Sequence, residues 1–140
     1  MGFIEKNNSK SWNLSALVHN VETVLKDKKD NIDARLVEGR AQYVVLSPGK
    51  GDSGHLVMGL ASLPKNFSTP DHNHFSEEIA LCVNGSGQVD IEGDVHLMKK
   101  DSIVYVPSNL NHVTTSGEQG LTVLWFYAPT GSESKWIQEE

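Results

Sequence analysis

The apolar residues of the chain follow two different patterns, and the change falls near residue 40. In the first part they recur at the spacing of one helical face, at Leu14, Leu17, Val18, Val21 and Leu25. Asn13 is a suitable cap at the start of such a helix. This pattern predicts one short helix within an N-terminal segment, residues 1–40, that packs on the rest of the domain or on a neighbouring subunit.

From Ala41 onward the apolar residues form short runs that Gly, Pro and Asn interrupt, which is typical of β-strands. The runs cover residues 42–47, 55–63, 72–74, 78–83, 102–106 and 121–127, with a hairpin near Gly93 and Asp94. They do not alternate with helical patterns, as the strands of a parallel sheet would. We therefore predict an all-β antiparallel sandwich or barrel over residues 41–128, followed by a C-terminal tail, residues 129–140.

Alternation along the strand 78–83 separates an inner face from an outer one. Ala80 and Cys82 share the face of Glu78, which we expect to point into the barrel, and their small size leaves room for a ligand. The residues between them are all apolar: Ile79, Leu81 and Val83. An apolar outer face needs cover from the N-terminal segment or from a second copy of the chain.

The aromatic run near the C-terminus divides in the same way. One set is Val123, Trp125 and Tyr127, and the other is Thr122, Leu124 and Phe126. The pattern alone leaves open which set faces the interior. We also expect Tyr105, on the preceding strand, to contribute to the cavity wall.

Composition and charge narrow the class of protein. Of the 140 residues, 38% are hydrophobic and 21% are charged, which is typical of a globular domain. The formal net charge of −6 argues against nucleic acid or an anionic membrane as the main partner. The single cysteine, Cys82, excludes an intrachain disulfide and favours a reducing compartment, and no apolar run approaches membrane-spanning length. We expect a cytoplasmic protein that binds neither nucleic acid nor membranes.

Four residues point to metal chemistry. On a strand, His72 and His74 would face the same way with Cα atoms about 6.6 Å apart, so both imidazoles can reach one metal at about 2.1 Å. Glu78 would lie about 13 Å beyond His74 on a straight strand. The chain must therefore bend before Glu78, which then opens the next strand beside the histidines. His112 supplies a third imidazole, and we predict that these four residues bind one divalent metal.

This ligand set contains nitrogen and oxygen but no thiolate, which disfavours a structural zinc site. Fe(II), Mn(II), Ni(II), Co(II) and Zn(II) are all compatible with it, and no organic cofactor is expected. Two plainer interpretations remain open: the histidines are exposed residues of a polar loop, or the ligands persist without a metal.

The spacing of these residues resembles the cupins, a superfamily of small double-sheet β-barrels. The first cupin motif has a glycine, His-x-His, a glutamate and a second glycine at fixed spacing. Here the corresponding positions hold Asn66, His72, His74, Glu78 and Gly85.

The second cupin motif has a glycine, Pro-x-Gly, a histidine and an asparagine. Here it reads Asp101, Pro107, Asn109, His112 and Ser116. The metal-ligand positions match, and the departures are at Asn66, Asp101, Asn109 and Ser116. Because Asn and Asp tolerate positive φ better than other non-glycine residues, Asn66 and Asn109 are conservative replacements for the backbone. Ser116 has no assigned role.

The resemblance implies a double-stranded β-helix, or jelly-roll barrel, and a homodimer. It implies a metal-dependent enzyme acting on a small oxygen-rich metabolite, with dioxygenation favoured and isomerase, lyase or decarboxylase chemistry possible. The alternative is a non-catalytic module that binds or senses a sugar or organic acid. The catalytic residues are unknown; the candidates are Tyr105, Glu77 and His96. No substrate clamp is evident, because the two arginines, Arg35 and Arg40, precede the predicted barrel.

Overall fold

The computed structural model describes residues 17–26, 34–37 and 39–137. One helix, α1 (Val21–Lys26), precedes seven strands. The strands are β1 (Ala34–Val37), β2 (Arg40–Leu46), β3 (Val57–Leu63), β4 (Glu77–Ile91), β5 (Asp94–Lys99), β6 (Ile103–Val106) and β7 (His112–Ala128). Two short 3₁₀ helices, Pro48–Lys50 and Ser134–Trp136, complete the described elements.

All strand pairs are antiparallel, in the order β1-β2-β3-β7-β4-β5, with β6 paired to β4. The long strands β4 and β7 pair along most of their lengths and enclose a buried interior. That interior contains Val44, Val57, Leu63, Val89, Met98 and Leu121. The predicted all-β antiparallel fold is confirmed.

The sequence was misleading at the glycine-rich stretch after Val83, where a strand end is predicted. β4 instead continues to Ile91, with register shifts between Cys82 and Asn84 and between Gly85 and Gly87. Gly85 has a φ of 80°, and a Cβ atom there would lie 2.1 Å from the Gly120 carbonyl oxygen. The glycines therefore serve β-bulges inside one long strand, and bulges of this kind bend a strand.

Asn66 and Asn109 are confirmed as conservative backbone replacements within the cupin glycine pattern, and Asp101 is a third. Asn66 has a φ of 53°, Asp101 of 75° and Asn109 of 64°. These values lie in the left-handed region, which Asn and Asp enter at lower cost than other non-glycine residues. The turns keep their shape although the glycines are replaced.

The predicted hairpin near Gly93 is also present. Glu92 and Gly93 both have positive φ, as a two-residue turn between twisted strands requires. The Asp90 carboxylate accepts a hydrogen bond from the Gly93 N–H at 2.8 Å. The predicted strand 72–74, in contrast, is reduced to an isolated bridge between His72 and His112.

The N-terminal prediction is only partly covered by the described residues. The helical pattern before residue 17 and its cap Asn13 lie outside them. α1 begins at Val21, where the Asn20 side chain accepts a hydrogen bond from the Thr23 N–H at 3.2 Å. The sheet begins with β1, before the boundary predicted at residue 41. Among the described helices, none is long and apolar enough to cross a membrane.

The residues after β7 pack against the barrel. The buried Glu133 carboxylate accepts hydrogen bonds from the Ser47 hydroxyl at 2.6 Å, the Thr130 hydroxyl at 2.7 Å and the Gly131 N–H at 2.7 Å. Burial tends to raise the pKa of Glu133, but these hydrogen bonds outweigh it and lower the pKa below its ordinary value. This anchored turn directs Trp136 into the interior, where its side chain is buried.

Candidate metal centre

Three backbone features bring the predicted ligands to one end of the interior. His72 and His112 exchange backbone hydrogen bonds at 3.2 and 2.8 Å. The His74 carbonyl accepts a hydrogen bond from the Asn109 N–H at 2.8 Å. Glu78 lies on β4 opposite a residue of β6 on one side and a residue of β7 on the other. The bend predicted between the histidine pair and Glu78 is therefore present.

The three imidazoles converge. His72, His74 and His112 each offer a ligand nitrogen, and these nitrogens lie within 4.8 Å of one another. The Glu78 Oε1 atom is 3.2 Å from the His74 Nε2 atom and 3.9 Å from the His112 Nε2 atom. The structure thus brings together all four residues that the sequence selects as metal ligands.

Each imidazole is oriented by a hydrogen bond from its Nδ1 atom. His72 Nδ1 lies 2.8 Å from the Pro70 carbonyl, His74 Nδ1 2.8 Å from the Ser76 carbonyl, and His112 Nδ1 2.9 Å from the Leu110 carbonyl. Because a carbonyl oxygen only accepts, Nδ1 must carry the proton in all three rings. In the neutral imidazoles Nε2 is then a lone pair available to a metal, an arrangement common to histidine ligands.

The contact between His74 and Glu78 provides a test of fit for a metal. The buried His74 Nε2 atom makes no hydrogen bond within the described part of the chain, although Glu78 Oε1 is only 3.2 Å away. With Nδ1 donating to Ser76, both facing atoms are electron-pair acceptors. Two such atoms at this distance need a shared proton or cation between them. Three imidazole nitrogens and a carboxylate oxygen suit a divalent transition metal, so the residues fit one.

The pKa values of two of the histidines are compatible with metal binding at neutral pH. Burial lowers the pKa of His72 to about 4, and it also lowers the pKa of His112. Both rings are therefore neutral at pH 7. Burial acts in the same direction on His74, but the Glu78 carboxylate 3.2 Å from its Nε2 atom and the carbonyl of Ser76 raise its pKa overall. Without a metal, this pair retains a proton that a cation would displace.

A cavity of about 50 Å³ lies beside these residues. Apolar side chains of β3, β4, β6 and β7 form most of its wall, and Arg40, Gln42, Thr69 and Thr114 are among the polar residues that line it. Ala80 also lines it on the face of Glu78, as predicted. The cavity is small, mostly apolar and adjacent to the candidate ligands.

The structure settles which set of β7 residues faces inward. Val123, Trp125 and Tyr127 are buried and line the cavity. The Trp125 indole donates a hydrogen bond to the Gln42 side-chain oxygen at 3.1 Å. The Tyr127 ring lies 4.8 Å from the His74 ring, centroid to centroid.

The three candidate catalytic residues are not brought to this cavity. Tyr105 is 54% exposed and donates a hydrogen bond to the Glu77 carboxylate at 2.6 Å. His96 lies on β5, 3.3 Å from the Asp94 carboxylate. The expectation that Tyr105 contributes to the cavity wall was wrong, because alternation on β6 turns its neighbours Val104 and Val106 inward instead.

Sequence reasoning missed three residues. Arg40, only 3% exposed, is the first residue of β2 and lines the cavity, so the statement that both arginines precede the barrel was wrong. The available signal was its position on the same face of the strand as Gln42 and Val44.

Trp136 also lines the cavity. Ser116 is buried, and its hydroxyl accepts a hydrogen bond from the Phe67 N–H at 2.9 Å and donates to the Pro64 carbonyl.

Comparison with known proteins agrees with this architecture. A family model described as a cupin domain matches residues 59–127, which include all four candidate ligands. A curated relative, the dimethylsulfoniopropionate lyase DddW of Ruegeria pomeroyi, is 29% identical over 79 residues, or 56% of this chain. The match covers 52% of the relative, so the chain spans about half the length of that protein.

Solved structures with the same fold include three that cover most of this chain. A salicylate 1,2-dioxygenase from Pseudaminobacter salicylatoxidans aligns with a TM-score of 0.66 at 17% identity, covering 78% of this chain and 34% of its own. A variant of oxalate decarboxylase from Bacillus subtilis aligns with a TM-score of 0.65 at 23% identity, covering 75% of this chain and 29% of its own. An RmlC-like cupin from Shewanella frigidimarina aligns with a TM-score of 0.61 at 14% identity, covering 71% of this chain and 85% of its own. At these identities the likeness shows the fold alone.

Proposed function

The chain belongs to the cupin superfamily, and on that premise we propose that it is a metal-dependent enzyme acting on a small oxygen-rich metabolite. The observation that carries this proposal is the convergence of three Nδ1-anchored imidazoles with the Glu78 carboxylate beside a small, mostly apolar cavity. His72, His74, Glu78 and His112 would hold one divalent metal, drawn from Fe(II), Mn(II), Ni(II), Co(II) and Zn(II).

A metal in this site supplies Lewis-acid chemistry when bound and, if it is redox-active like iron, oxygen chemistry. The protein supplies orientation of the ligands and exclusion of water. Nδ1 hydrogen bonds fix each imidazole, and the apolar cavity wall limits the water that reaches a bound substrate. Outer hydrogen bonds of this kind raise metal affinity.

The reaction class that we favour is dioxygenation. Among the described cavity residues, the ionisable groups besides the four ligands are Arg40 and Tyr127. Arginine stays protonated, and burial raises the pKa of Tyr127 well above its ordinary value. Neither group is a base at neutral pH. Lyase and isomerase reactions usually require a general base, whereas dioxygenation does not depend on one.

The similar proteins support the kind of substrate more than the reaction. Their names describe a lyase of dimethylsulfoniopropionate, a dioxygenase of salicylate and a decarboxylase of oxalate. These are three different reactions on small oxygen-bearing molecules. We therefore propose a small substrate that chelates the metal through its oxygen atoms.

The test has two stages. Elemental analysis of protein purified without chelator should find about one transition metal per chain. His74→Ala and His112→Ala should each lose most of it, whereas His96→Ala, on the exposed strand β5, should retain it. Oxygen uptake should then be measured with a panel of diketones, catechols and thiols. The proposal would be overturned if the chain binds no metal, or if it retains its metal in both His74→Ala and His112→Ala.

A second candidate is a binding or sensing module that uses the same cavity without turnover. The lack of a base among the described cavity residues favours this candidate as well as dioxygenation. Metal content and ligand binding would be unchanged, but the panel would show no oxygen uptake. Calorimetric binding of a sugar or an acid without product formation would support this candidate.

We also propose that the chain forms a homodimer through the outer face of β4, β6 and β7. Ile79, Ile103 and Phe126 are exposed there although they are large and apolar. Exposed apolar surface of this kind is typical of protein interfaces. Analytical ultracentrifugation at micromolar concentration should show a dimer, and Ile103→Lys should shift it toward monomer. A wild-type chain that sediments only as a monomer would contradict the proposal.

A further inference from the structure

A buried hydrogen-bond donor without a partner lines the cavity. Trp136 is 2% exposed, and its Nε1–H makes no hydrogen bond to any residue that the structure describes. The neighbouring Trp125, with a ring centroid 5.3 Å away, donates instead to the Gln42 oxygen at 3.1 Å. Because buried donors normally have acceptors, the free donor of Trp136 points to a bound molecule in the cavity.

The turn that carries Trp136 is held in place by bonds within the protein. The Trp136 backbone N–H donates to the Glu133 carbonyl at 2.9 Å, and the Glu133 carboxylate is bound to the hydroxyl of Ser47, directly after β2. The Ser76 hydroxyl donates to the Pro129 carbonyl at 2.5 Å. A donor that is already fixed loses little freedom when a ligand binds, which favours its use in recognition.

Two other side chains of the wall also offer donors. The Gln42 oxygen accepts the hydrogen bond from Trp125, so the amide has its NH₂ group to present to a ligand. The Thr69 hydroxyl oxygen accepts a hydrogen bond from the Thr114 N–H at 3.0 Å, and its O–H can donate to a ligand. Gln42 and Thr69 are both buried and line the cavity. Together with Trp136 they form a wall that complements acceptor atoms.

The free donor lies near the metal ligands but on a different segment of the chain. The Tyr127 ring lies 4.8 Å from the His74 ring and 5.8 Å from the Trp136 ring, centroid to centroid. Trp136 follows β7, beyond residues 59–127 that match the cupin model. One molecule in the cavity can thus bind the metal at one end and Trp136 at the other.

The size of the cavity restricts that molecule. A cavity of about 50 Å³ has room for about three to five water-sized groups, at about 10–15 Å³ for each. A short chain beside the metal matches this volume. A sugar ring would not fit without movement of the wall.

We infer that the ligand of this cavity is a short-chain molecule with oxygen at both ends, and that Trp136 Nε1–H binds the oxygen remote from the metal. That oxygen is an acceptor without a proton, as in a ketone, ester, ether or carboxylate. This inference rests on the proposed function, because the other end of the ligand binds the metal. It goes further by naming the substrate class and a residue that determines specificity.

The experiment uses two pairs of hydroxamic acids, titrated by calorimetry into the protein loaded with Zn(II). The hydroxamate group supplies oxygen atoms to the metal, and within each pair one carbon of the tail is replaced by an ether oxygen. The pairs are butyrohydroxamic with methoxyacetohydroxamic acid, and valerohydroxamic with 3-methoxypropionohydroxamic acid. They place the ether oxygen at two distances from the metal. All four tails are uncharged, so the charged residues of the cavity do not decide the comparison.

An apolar cavity alone prefers the alkyl tail, because removal of apolar surface from water is favourable. Trp136 should reverse this preference, so that at least one ether acid binds about five- to tenfold more tightly than its alkyl partner. Trp136→Phe keeps an aromatic ring but removes the N–H, so it should restore the preference for the alkyl tail without loss of metal. Tyr105→Phe, on the outer face, should keep the wild-type preference.

A second measurement uses the wild-type protein and remains valid if Trp136→Phe does not fold. Nitrogen-15 spectra report the indole N–H groups, which are assigned from nuclear Overhauser contacts. On addition of the preferred ether acid, the Trp136 signal should move downfield, while that of Trp125, already bonded to Gln42, should move less. The alkyl partner should move neither signal strongly.

The outcomes separate this inference from the proposed function. If metal is bound but both alkyl acids bind at least as tightly as their ether partners, the inference is wrong and the metal site stands. The inference is equally overturned if folded Trp136→Phe keeps the wild-type preference. If no metal is bound, the proposed function fails. In that metal-free protein, a Trp136 signal that moves with an ether acid would still support the acceptor site, and an unmoved signal would overturn it.

Discussion

The inner and outer faces of β4, β6 and β7 belong to the same strands but have opposite chemistry. Glu78, on the inner face, lies 3.2 Å from a histidine nitrogen beside the cavity. Glu77, one residue earlier, accepts a hydrogen bond from exposed Tyr105. On β7, Trp125 is 2% exposed and its neighbour Phe126 is 39% exposed.

Residue type alone does not determine the role of a side chain in these strands. Glu77 and Glu78 are the same side chain at adjacent positions, and alternation turns Glu77 toward solvent and Glu78 toward the three converging histidines. The role of a side chain in these strands therefore depends on which face of the sheet its position occupies.

The largest expected difference is in stability. Trp125→Ala should lower the free energy of unfolding by about 3–5 kcal/mol, because it leaves a cavity in the interior and removes the hydrogen bond to Gln42. Phe126→Ala should cost about 1 kcal/mol or less, as expected for a partly exposed side chain. Urea denaturation of both variants checks this. Equal losses would mean that the two faces are equally packed, which would contradict the assignment of Trp125 to the inner face and Phe126 to the outer face.

The next effect concerns the adjacent carboxylates. Glu78→Gln should weaken metal binding about 100-fold, or about 2.7 kcal/mol, since it removes the one anionic ligand of the set. Glu77→Gln should leave the affinity unchanged. Competition with a chromogenic chelator measures both. A loss on Glu77→Gln, or none on Glu78→Gln, would show that the parity of β4 has been misassigned.

The pH dependence of metal binding should come from His74. Although burial tends to lower its pKa, Glu78 raises it above the ordinary value, so a proton occupies this ligand up to higher pH. The metal must displace that proton, and its affinity should therefore fall about tenfold, or about 1.4 kcal/mol, for each unit below the His74 pKa. His72, with a pKa of about 4, should not compete in this range.

Chelator competition at pH 8, 7 and 6 measures this slope. In Glu78→Gln the carboxylate that raises the His74 pKa is gone, so the fall should begin at lower pH. An affinity that does not change between pH 8 and pH 6 would contradict the assignment of His74 as a ligand.

The smallest effect is expected on the outer face. Tyr105→Phe removes the hydrogen bond to Glu77 at an exposed position and should leave the free energy of unfolding almost unchanged, because exposed polar pairs contribute little to stability. Metal content and oxygen uptake should be unchanged. If the substitution abolished turnover without loss of stability, Tyr105 would have a catalytic role that its place on the outer face does not explain.

Much of the fold can be predicted from local sequence patterns with a known physical cause. Alternation placed Ala80 and Cys82 on the inner face of β4, and the tolerance of Asn and Asp for positive φ explained Asn66, Asp101 and Asn109. The spacing of the histidines and Glu78 selected the residues that the structure brings together. These signals are short-range along the chain or are fixed by the two motifs.

What the sequence did not reveal depends on contacts between distant segments. Arg40 reaches the cavity only because β2 pairs with β3, and Trp136 because Glu133 is held by Ser47, 86 residues away. Tyr105 was misplaced because the parity of a four-residue strand depends on its register with β4. The glycines of β4 suggest a turn, since a bulge depends on the partner strand.

The most direct test of the metal centre is the anomalous difference density of crystals of this chain loaded with Co(II). We expect one strong peak, about 2.1 Å from the Nε2 atoms of His72, His74 and His112 and in contact with the Glu78 carboxylate. A fully loaded crystal with its peak elsewhere, or with these side chains turned away from a common point, would contradict it.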